Sequence, residues 1–157
     1  MYNRIRCKID PSDRWFSREE YLTMDYKRVL IIDDSEIDRS ILKNILDTDY
    51  YVMEAENGFK GIEILLNRKN KIDCVLLDLH MPILDGFRVL ELMKENGLSD
   101  IPVIIITSES TEQNLMKTVS YDIRDFICKP FDKNLVRSRL KMFFTYGIGM
   151  NMHYFLK

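Results

Sequence analysis

Short runs of apolar residues alternate along the chain with longer stretches in which apolar residues recur every three or four positions. Apolar runs rich in β-branched residues are typical of buried parallel strands, and the longer periodic stretches are typical of helices with one buried face. The strand-like runs are Val29–Ile32, Tyr50–Glu54, Cys74–Leu77, Val103–Ile106 and Phe126–Cys128. Their alternation with the helical stretches predicts βαβ units and one parallel sheet within residues 27–146.

Five helices are predicted between and after these strands, most of them marked by a capping residue or a glycine at one end. The first, second, fourth and fifth begin at or near Ser35, Asn57, Thr111 and Asp132, respectively. The third begins shortly before Val89. The second should reach about Lys69, the third should close at Asn96-Gly97, and the fifth should end near Tyr146. The apolar residues expected to face the core are Ile37, Ile41, Leu42, Ile45 and Leu46 in the first helix, Ile62, Leu65 and Leu66 in the second, Val89, Leu90 and Met93 in the third, and Leu115, Met116 and Val119 in the fourth.

Polar residues follow four of the strand-like runs at the point where each run ends. Asp33 and Asp34 follow the first run, Asp78 the third, Thr107 the fourth and Lys129 the fifth. In an open α/β sheet the carboxyl ends of the parallel strands form the edge where ligands bind. We therefore expect these five residues to lie together at that edge.

Acids brought together from neighbouring strands repel each other unless a cation neutralises them. A hard divalent cation such as Mg²⁺ suits carboxylate oxygens and leaves coordination positions for water and phosphate. A carboxylate beside Mg²⁺ can attack phosphorus and form an acyl phosphate. Lys129 and Thr107 would then contact the phosphoryl oxygens.

Each of these residues, considered alone, more often has an ordinary structural role than a functional one. Asp33 would most often be a helix cap, Thr107 a turn residue, Lys129 a solvated surface lysine and His80 a solvent-facing loop residue. The combination at successive strand ends favours the metal and phosphoryl interpretation over these separate ones.

These residues resemble the receiver domains of two-component response regulators over residues 27–146, about three quarters of the chain. The matching residues are Asp33-Asp34, Asp78 with His80-Met81-Pro82 and Gly86, Thr107-Ser108-Glu109, and Phe126 with Lys129-Pro130. The resemblance implies a flavodoxin-like α/β fold, with a doubly wound five-stranded parallel sheet in the order 2-1-3-4-5 and five helices.

The resemblance also implies a role for each site residue. Asp78 would accept a phosphoryl group from a cognate histidine kinase or phosphotransfer protein, with Mg²⁺ as cofactor. Asp34 would bind Mg²⁺ directly and Asp33 through water, together with Asp78 and the backbone carbonyl of His80. Lys129 would pair with the phosphoryl group, and its peptide bond to Pro130 would be cis.

Thr107 and Phe126 would form the switch pair, the hydroxyl moving toward the phosphate and the ring turning inward. The surface made by helix 4, strand 5 and helix 5 would then change its affinity for an output domain or protein partner, and in this family it often forms a symmetric dimer. Such a protein is a signalling phosphoacceptor that catalyses only its own phosphorylation and dephosphorylation, not a conventional enzyme.

Two other functions share part of this chemistry. A phosphatase with an Asp nucleophile and Mg²⁺ would be expected to carry a second Asp two residues after the first, whereas position 80 is His. A receiver-like scaffold that only binds partners often loses one of the groups at Asp34, Asp78, Thr107 and Lys129, and all four are present.

One departure from the receiver pattern lies before the fifth strand. Asp122-Ile123 stands where the family commonly has Gly-Ala. Asp tolerates a left-handed turn better than most residues, but Ile123 needs space that Ala would not. We expect the backbone to be shifted in this region.

Composition and charge narrow the class of protein. The chain is 46% hydrophobic and 31% charged, as is ordinary for a globular protein, and its net charge of −2 argues against direct nucleic acid binding. No stretch has the apolar length of a membrane span or the form of a signal peptide. Cys7, Cys74 and Cys128 are odd in number, and the last two fall in strands predicted to be buried, so reduced thiols and a cytoplasmic location are expected.

The two ends of the chain lie outside the alternating pattern. Residues 1–26 are predicted to be an N-terminal extension or linker, in which Ser17-Arg18-Glu19-Glu20 could begin a short helix. Residues 147–157 are interpreted as the linker to an output domain or, alternatively, as a docking tail. The receiver domain itself is predicted to occupy residues 27–146.

Overall fold

Five parallel strands form the sheet in the computed structural model, which describes residues 26–108, 118 and 120–147. The strands are β1 (Arg28–Ile32), β2 (Tyr51–Ala55), β3 (Cys74–Asp78), β4 (Val103–Thr107) and β5 (Ile123–Cys128). Their order is β2-β1-β3-β4-β5, and every neighbouring pair is parallel. The predicted doubly wound α/β fold and its strand order are therefore confirmed.

Four α-helices lie within the described residues. They are α1 (Glu36–Leu46), α2 (Gly58–Leu66), α3 (Gly86–Glu95) and α4 (Lys133–Tyr146), with a short 3-10 helix at Arg68–Asn70. The helix predicted to start near Thr111 falls outside the described residues, apart from Thr118, which is helical and buried. The expected extensions 1–26 and 147–157 lie almost entirely outside them as well.

The strands are buried on both faces of the sheet because each face carries its own hydrophobic core. Leu30 and Ile32 of β1 point to the core that contains α2 and α3, and Val29 and Ile31 point to the core that contains α1 and α4. The same alternation continues in β3 and β4. This two-sided burial explains why these strands are continuously apolar in sequence.

Three of the predicted helix starts are confirmed by their caps. Side chains of the three predicted cap residues accept hydrogen bonds from backbone N–H groups three residues later, which supplies partners for donors that have none inside a helix. These bonds run from Asp38 to Ser35 (3.2 Å), from Lys60 to Asn57 (2.8 Å) and from Leu135 to Asp132 (2.7 Å). Gly97, at φ +68°, follows α3 as predicted.

Three of the core positions predicted in the helices are wrong. Ile37 and Ile41 of α1 are 73% and 40% exposed, and Leu66 at the end of α2 is also exposed. The buried residues of α1 are Leu42, Ile45 and Leu46. Because successive helix residues are about 100° apart, Ile37 and Ile41 lie to one side of the line that faces the sheet. The second helix also ends at Leu66, three residues earlier than predicted.

The edge strand β5 differs most from its sequence prediction. It begins at Ile123, earlier than expected, and a register irregularity pairs Val103 with Ile123 but Ile104 with Asp125, which leaves Arg124 as an extra residue. This β-bulge takes up the shift expected at Asp122-Ile123, and Ile123 packs against the core on the α2 and α3 side. Cys128, predicted to be buried, is exposed because β5 is the last strand of the sheet.

None of the helices in the described part of the chain is long and apolar enough to cross a membrane.

A buried ion pair fastens α4 to β5. Nη1 of Arg139 lies 3.1 and 2.9 Å from the two carboxylate oxygens of Asp125, and the Asp125 side chain is only 4% exposed. The backbone N–H of Phe126 donates a further hydrogen bond to Asp125. Removing one partner of such a pair leaves a buried charge without compensation.

We therefore expect Arg139→Met to lower the free energy of unfolding by about 3 kcal/mol. Asp125→Val combined with Arg139→Met should recover most of this loss, since no charge is then left buried. Arg88→Met is the matched control because Arg88 pairs with Glu91 and Glu95 at the surface, where a pair is worth about 1 kcal/mol or less. Urea denaturation followed by circular dichroism measures the free energy of unfolding of all three variants. Equal losses of this free energy in Arg139→Met and Arg88→Met would contradict the prediction.

Candidate functional site

The three predicted acids meet at the carboxyl edge of the sheet. Asp33 and Asp34 directly follow β1, and Asp78 is the last residue of the neighbouring strand β3. Each offers a carboxylate oxygen that lies within 4.8 Å of those of the other two. Asp33 and Asp78 are buried, whereas Asp34 is exposed to solvent.

Asp78 is held by the loop that follows it. The backbone N–H of His80 donates to Oδ1 of Asp78 at 3.0 Å, and that of Gly86 donates to the carbonyl of Leu79 at 3.0 Å. A Cβ atom on Gly86 would lie 2.4 Å from the carbonyl oxygen of Asp78, closer than any side chain can approach. Glycine at position 86 therefore lets α3 begin directly against the end of β3.

Asp33 is held by the first turn of α1. The backbone N–H of Ser35 donates to Oδ1 of Asp33 at 2.8 Å, and Nη1 of Arg39 donates to its carbonyl oxygen at 2.8 Å. The backbone N–H of Asp33 donates to the carbonyl of Ala55 at 3.2 Å. Both the side chain and the backbone of Asp33 are thus fixed before any ligand binds.

Lys129 is the cation at the centre of this group. Its Nζ lies 2.8 Å from Oδ2 of Asp78, 2.8 Å from Oδ2 of Asp33 and 3.0 Å from Oδ2 of Asp38. Its backbone N–H donates to the carbonyl of Thr107 at 2.9 Å, and its peptide bond to Pro130 is cis, as expected. Burial by itself would lower the pKa of Lys129, but its close contacts with the three carboxylates raise it above its ordinary value.

The acids suit a hard divalent cation. Burial raises the pKa of Asp33 above its ordinary value, although the attraction of Lys129 opposes this shift. Oδ2 of Asp33 is buried and accepts no hydrogen bond of good geometry; its close neighbour is the Lys129 ammonium, so the contact is mainly ionic. Three carboxylates with an underused buried oxygen form the all-oxygen donor set that Mg²⁺ prefers. The residues present therefore fit the ion that the resemblance implies.

The two predicted switch residues lie on the same face of the sheet. Thr107 ends β4 and is buried, and Phe126 in β5 is partly buried opposite Ile105. Phe126 packs against the core on the α2 and α3 side, which is also the face to which Ile105 points. Thr107 is two residues after Ile105 and thus shares that face. His80 is exposed at the mouth of the site.

Asp38 is a site residue that the sequence reasoning missed. It lies in the first turn of α1, four residues before the buried Leu42, and this position turns its carboxylate toward Lys129. The sequence did contain an indication of this role. An acid lies on the sheet-facing side of a helix that begins directly after two acids. Only the packing of α1 on the sheet shows that this acid reaches Lys129.

Known proteins resemble this chain over the same region. Residues 29–141 match the family model of the response regulator receiver domain. The two-component response regulator ARR12 of Arabidopsis thaliana is 38% identical over 105 residues, which cover 66% of this chain and 17% of that protein. The chemotaxis protein CheY of Halobacterium salinarum is 35% identical over 108 residues, which cover 68% of this chain and 88% of that protein.

Solved structures show the same fold. The response regulator domain of Thermotoga maritima CheB superposes with a TM-score of 0.63 at 28% identity, over 74% of this chain and 92% of that one. The receiver domain of the Francisella response regulator 1452 has a TM-score of 0.68 at 21% identity, over 77% of this chain and 98% of that one.

The chain spans only 12% to 27% of the length of several curated relatives, among them the sensor histidine kinase CheAY of Helicobacter pylori. The family match nevertheless takes in the five strands, apart from Arg28 at the start of β1, together with the acidic cluster and Lys129. This chain therefore belongs to the response regulator receiver domain family of two-component systems.

Proposed function

We propose that Asp78 accepts a phosphoryl group from a histidine kinase or phosphotransfer protein and that Mg²⁺ is required for the transfer. The observation that carries this proposal is the position of Lys129, whose ammonium lies 2.8 Å from both buried carboxylates, Asp33 and Asp78. A nucleophilic carboxylate, a neighbouring acid and a fixed cation at one strand edge are the parts that phosphoryl transfer to Asp requires.

In the proposed reaction an oxygen of Asp78 forms a bond to phosphorus as the bond from phosphorus to the histidine nitrogen of the donor breaks. The fixed loop holds Asp78 in place through the His80 N–H, so little reorganisation is needed. An N–H of Lys129 then turns from Asp78 to a phosphoryl oxygen, and Thr107, at the end of β4 beside β3, offers its hydroxyl to another.

Asp33, Asp34 and Asp78, with the backbone carbonyl of His80, are the residues that would hold Mg²⁺. The ion would supply positive charge that neutralises the carboxylates and the phosphoryl oxygens during transfer. Asp33 and Asp34 would act only as ligands of the ion. Asp33 is already oriented for this role by its contacts with Ser35 and Arg39.

The exposed apolar residues around the acidic cluster support a protein as the phosphoryl donor. Ile37 at the start of α1, Phe59 at the start of α2 and Ile83 in the loop after β3 are 73%, 60% and 90% exposed. All three lie at the carboxyl edge of the sheet, where these helices and this loop begin. Apolar side chains around a charged site are typical of protein contact surfaces. Small phosphoryl donors alone would not need them.

Phosphorylation is proposed to act as a signal. It adds nearly two negative charges at Asp78 and would bias the positions of Thr107 and Phe126. The change would reach the surface formed by the helix predicted near Thr111, β5 and α4, which would bind an output domain, a protein partner or a second copy. In this proposal the protein catalyses only its own phosphorylation and dephosphorylation, acts in the cytoplasm and does not bind nucleic acid directly.

The two alternative functions receive less support. His80 stands where an Asp-based phosphatase would be expected to carry its second acid, and His80 is exposed. A scaffold without phosphorylation would not need Asp78 and Lys129 in contact in the interior.

We expect the protein to form one hydroxylamine-labile phosphate adduct when it is incubated with Mg²⁺ and a small acyl phosphate. Asp78→Asn should abolish the adduct because the nucleophilic oxygen is lost, and removal of Mg²⁺ with a chelator should do the same. Asp100→Asn, an exposed position outside the site, is the matched control and should behave like the unmodified protein. Mass spectrometry measures the adduct. An equal adduct in Asp78→Asn would refute the proposal, and rapid multiple turnover of phosphate esters would favour the phosphatase.

Thr107→Val is expected to separate phosphorylation from switching. Valine keeps the shape and β-branching of threonine but removes the hydroxyl that would bond the phosphoryl group. The adduct should still form, within about tenfold of the original rate. The change in the ring resonances of Phe126 on phosphorylation, followed by NMR, should largely disappear. A full Phe126 response in this variant would show that the hydroxyl does not transmit the signal.

A further inference from the structure

The ammonium group of Lys129 has a carboxylate partner that lies outside the proposed metal site. Oδ2 of Asp38 is 3.0 Å from Nζ of Lys129, close to the 2.8 Å distances to Asp33 and Asp78. Asp33, Asp34 and Asp78 form the oxygen cluster that could hold an ion, and Asp38 is not among them. Of the three carboxylates around Lys129, Asp38 is therefore the one that lies outside the candidate metal ligands.

The position of Asp38 is fixed by the start of α1. Its backbone N–H donates to the Ser35 cap at 3.2 Å, and the next residue, Arg39, donates to the carbonyl of Asp33 at 2.8 Å. The side chain of Asp38 is 27% exposed, and that of Lys129 is 15% exposed, so the ion pair is partly shielded from water. An ion pair held by a helix cap in this way keeps its geometry better than two free surface side chains do.

Lys129 and a divalent cation both compete for the same two oxygen donors. The Lys129 ammonium lies 2.8 Å from Oδ2 of Asp33 and 2.8 Å from Oδ2 of Asp78, and its positive charge would oppose a cation at the same carboxylates. A third carboxylate that attracts the ammonium toward α1 weakens this competition.

We propose that Asp38 is a positioning residue, whose carboxylate holds Lys129 on the α1 side of the site so that Asp33 and Asp78 remain available to the cation. This inference rests on the proposed function, because it assumes that Asp33 and Asp78 bind Mg²⁺. It adds a fourth carboxylate, which acts through Lys129 and does not itself touch the ion or the phosphoryl group.

The test measures Mg²⁺ binding without phosphorylation. Asp38→Asn keeps the size of the side chain and removes its charge, so Lys129 should move further onto Asp33 and Asp78. The dissociation constant for Mg²⁺, measured by calorimetry at 0.2 M salt to screen distant charges, should rise about fivefold. Glu36→Gln removes the same charge from the same turn at an exposed position and should change the constant by less than about twofold.

A double-mutant cycle with Lys129→Gln decides whether Asp38 acts through the lysine. If it does, adding Asp38→Asn to Lys129→Gln should leave the Mg²⁺ dissociation constant unchanged. In the metal-free protein, the side-chain ammonium resonance of Lys129 in NMR should also shift in Asp38→Asn and not in Glu36→Gln. An equal loss of Mg²⁺ affinity with and without Lys129, or an unmoved ammonium resonance, would overturn the inference.

The two proposals fail in different ways. If the protein binds Mg²⁺ and is phosphorylated on Asp78 but Asp38→Asn has no effect, only the role of Asp38 is wrong. If Asp78→Asn still forms the phosphate adduct, the proposed function is wrong, whatever the lysine resonance shows.

Discussion

One ammonium group holds together the two buried carboxylates at the carboxyl edge of this sheet. Without Lys129, the buried carboxylates of Asp33 and Asp78 would repel each other with no neighbouring ammonium to offset their charge. With Lys129 in place the site keeps its negative charge and its geometry. The parallel register of β1, β3, β4 and β5 matters because it delivers these side chains to the same edge.

The scaffold around the site is fixed by short-range contacts that use backbone groups. Ser35 and Arg39 hold Asp33, the His80 N–H holds Asp78, and the absence of a side chain at Gly86 lets α3 start against β3. Because these contacts are local, the site is formed before any ion or phosphoryl group arrives. Preorganisation of this kind reduces the reorganisation required during phosphoryl transfer.

The region between the site and the β5 edge is less regular than the rest of the sheet. The bulge at Arg124 accommodates Ile123, where related domains commonly have a small residue, and the Asp125–Arg139 pair ties β5 to α4 below it. In the proposed function, a signal from Thr107 and Phe126 would pass along this edge strand. The strand therefore combines an irregular register at the bulge with a buried ion pair to α4.

The sequence by itself determined the approximate positions of the strands, three helix caps and the residues at the strand ends, because apolar periodicity and capping are local properties of the chain. The strand order was predicted only through the resemblance to receiver domains. The rotation of α1 was decided only by the tertiary structure, which exposes Ile37 and Ile41 and turns Asp38 toward Lys129. Packing likewise exposed Cys128 on the edge strand and paired Asp125 with Arg139 across 14 residues. Periodicity shows that a helix has a buried face, but which residues contact other elements depends on how the helix lies on the sheet.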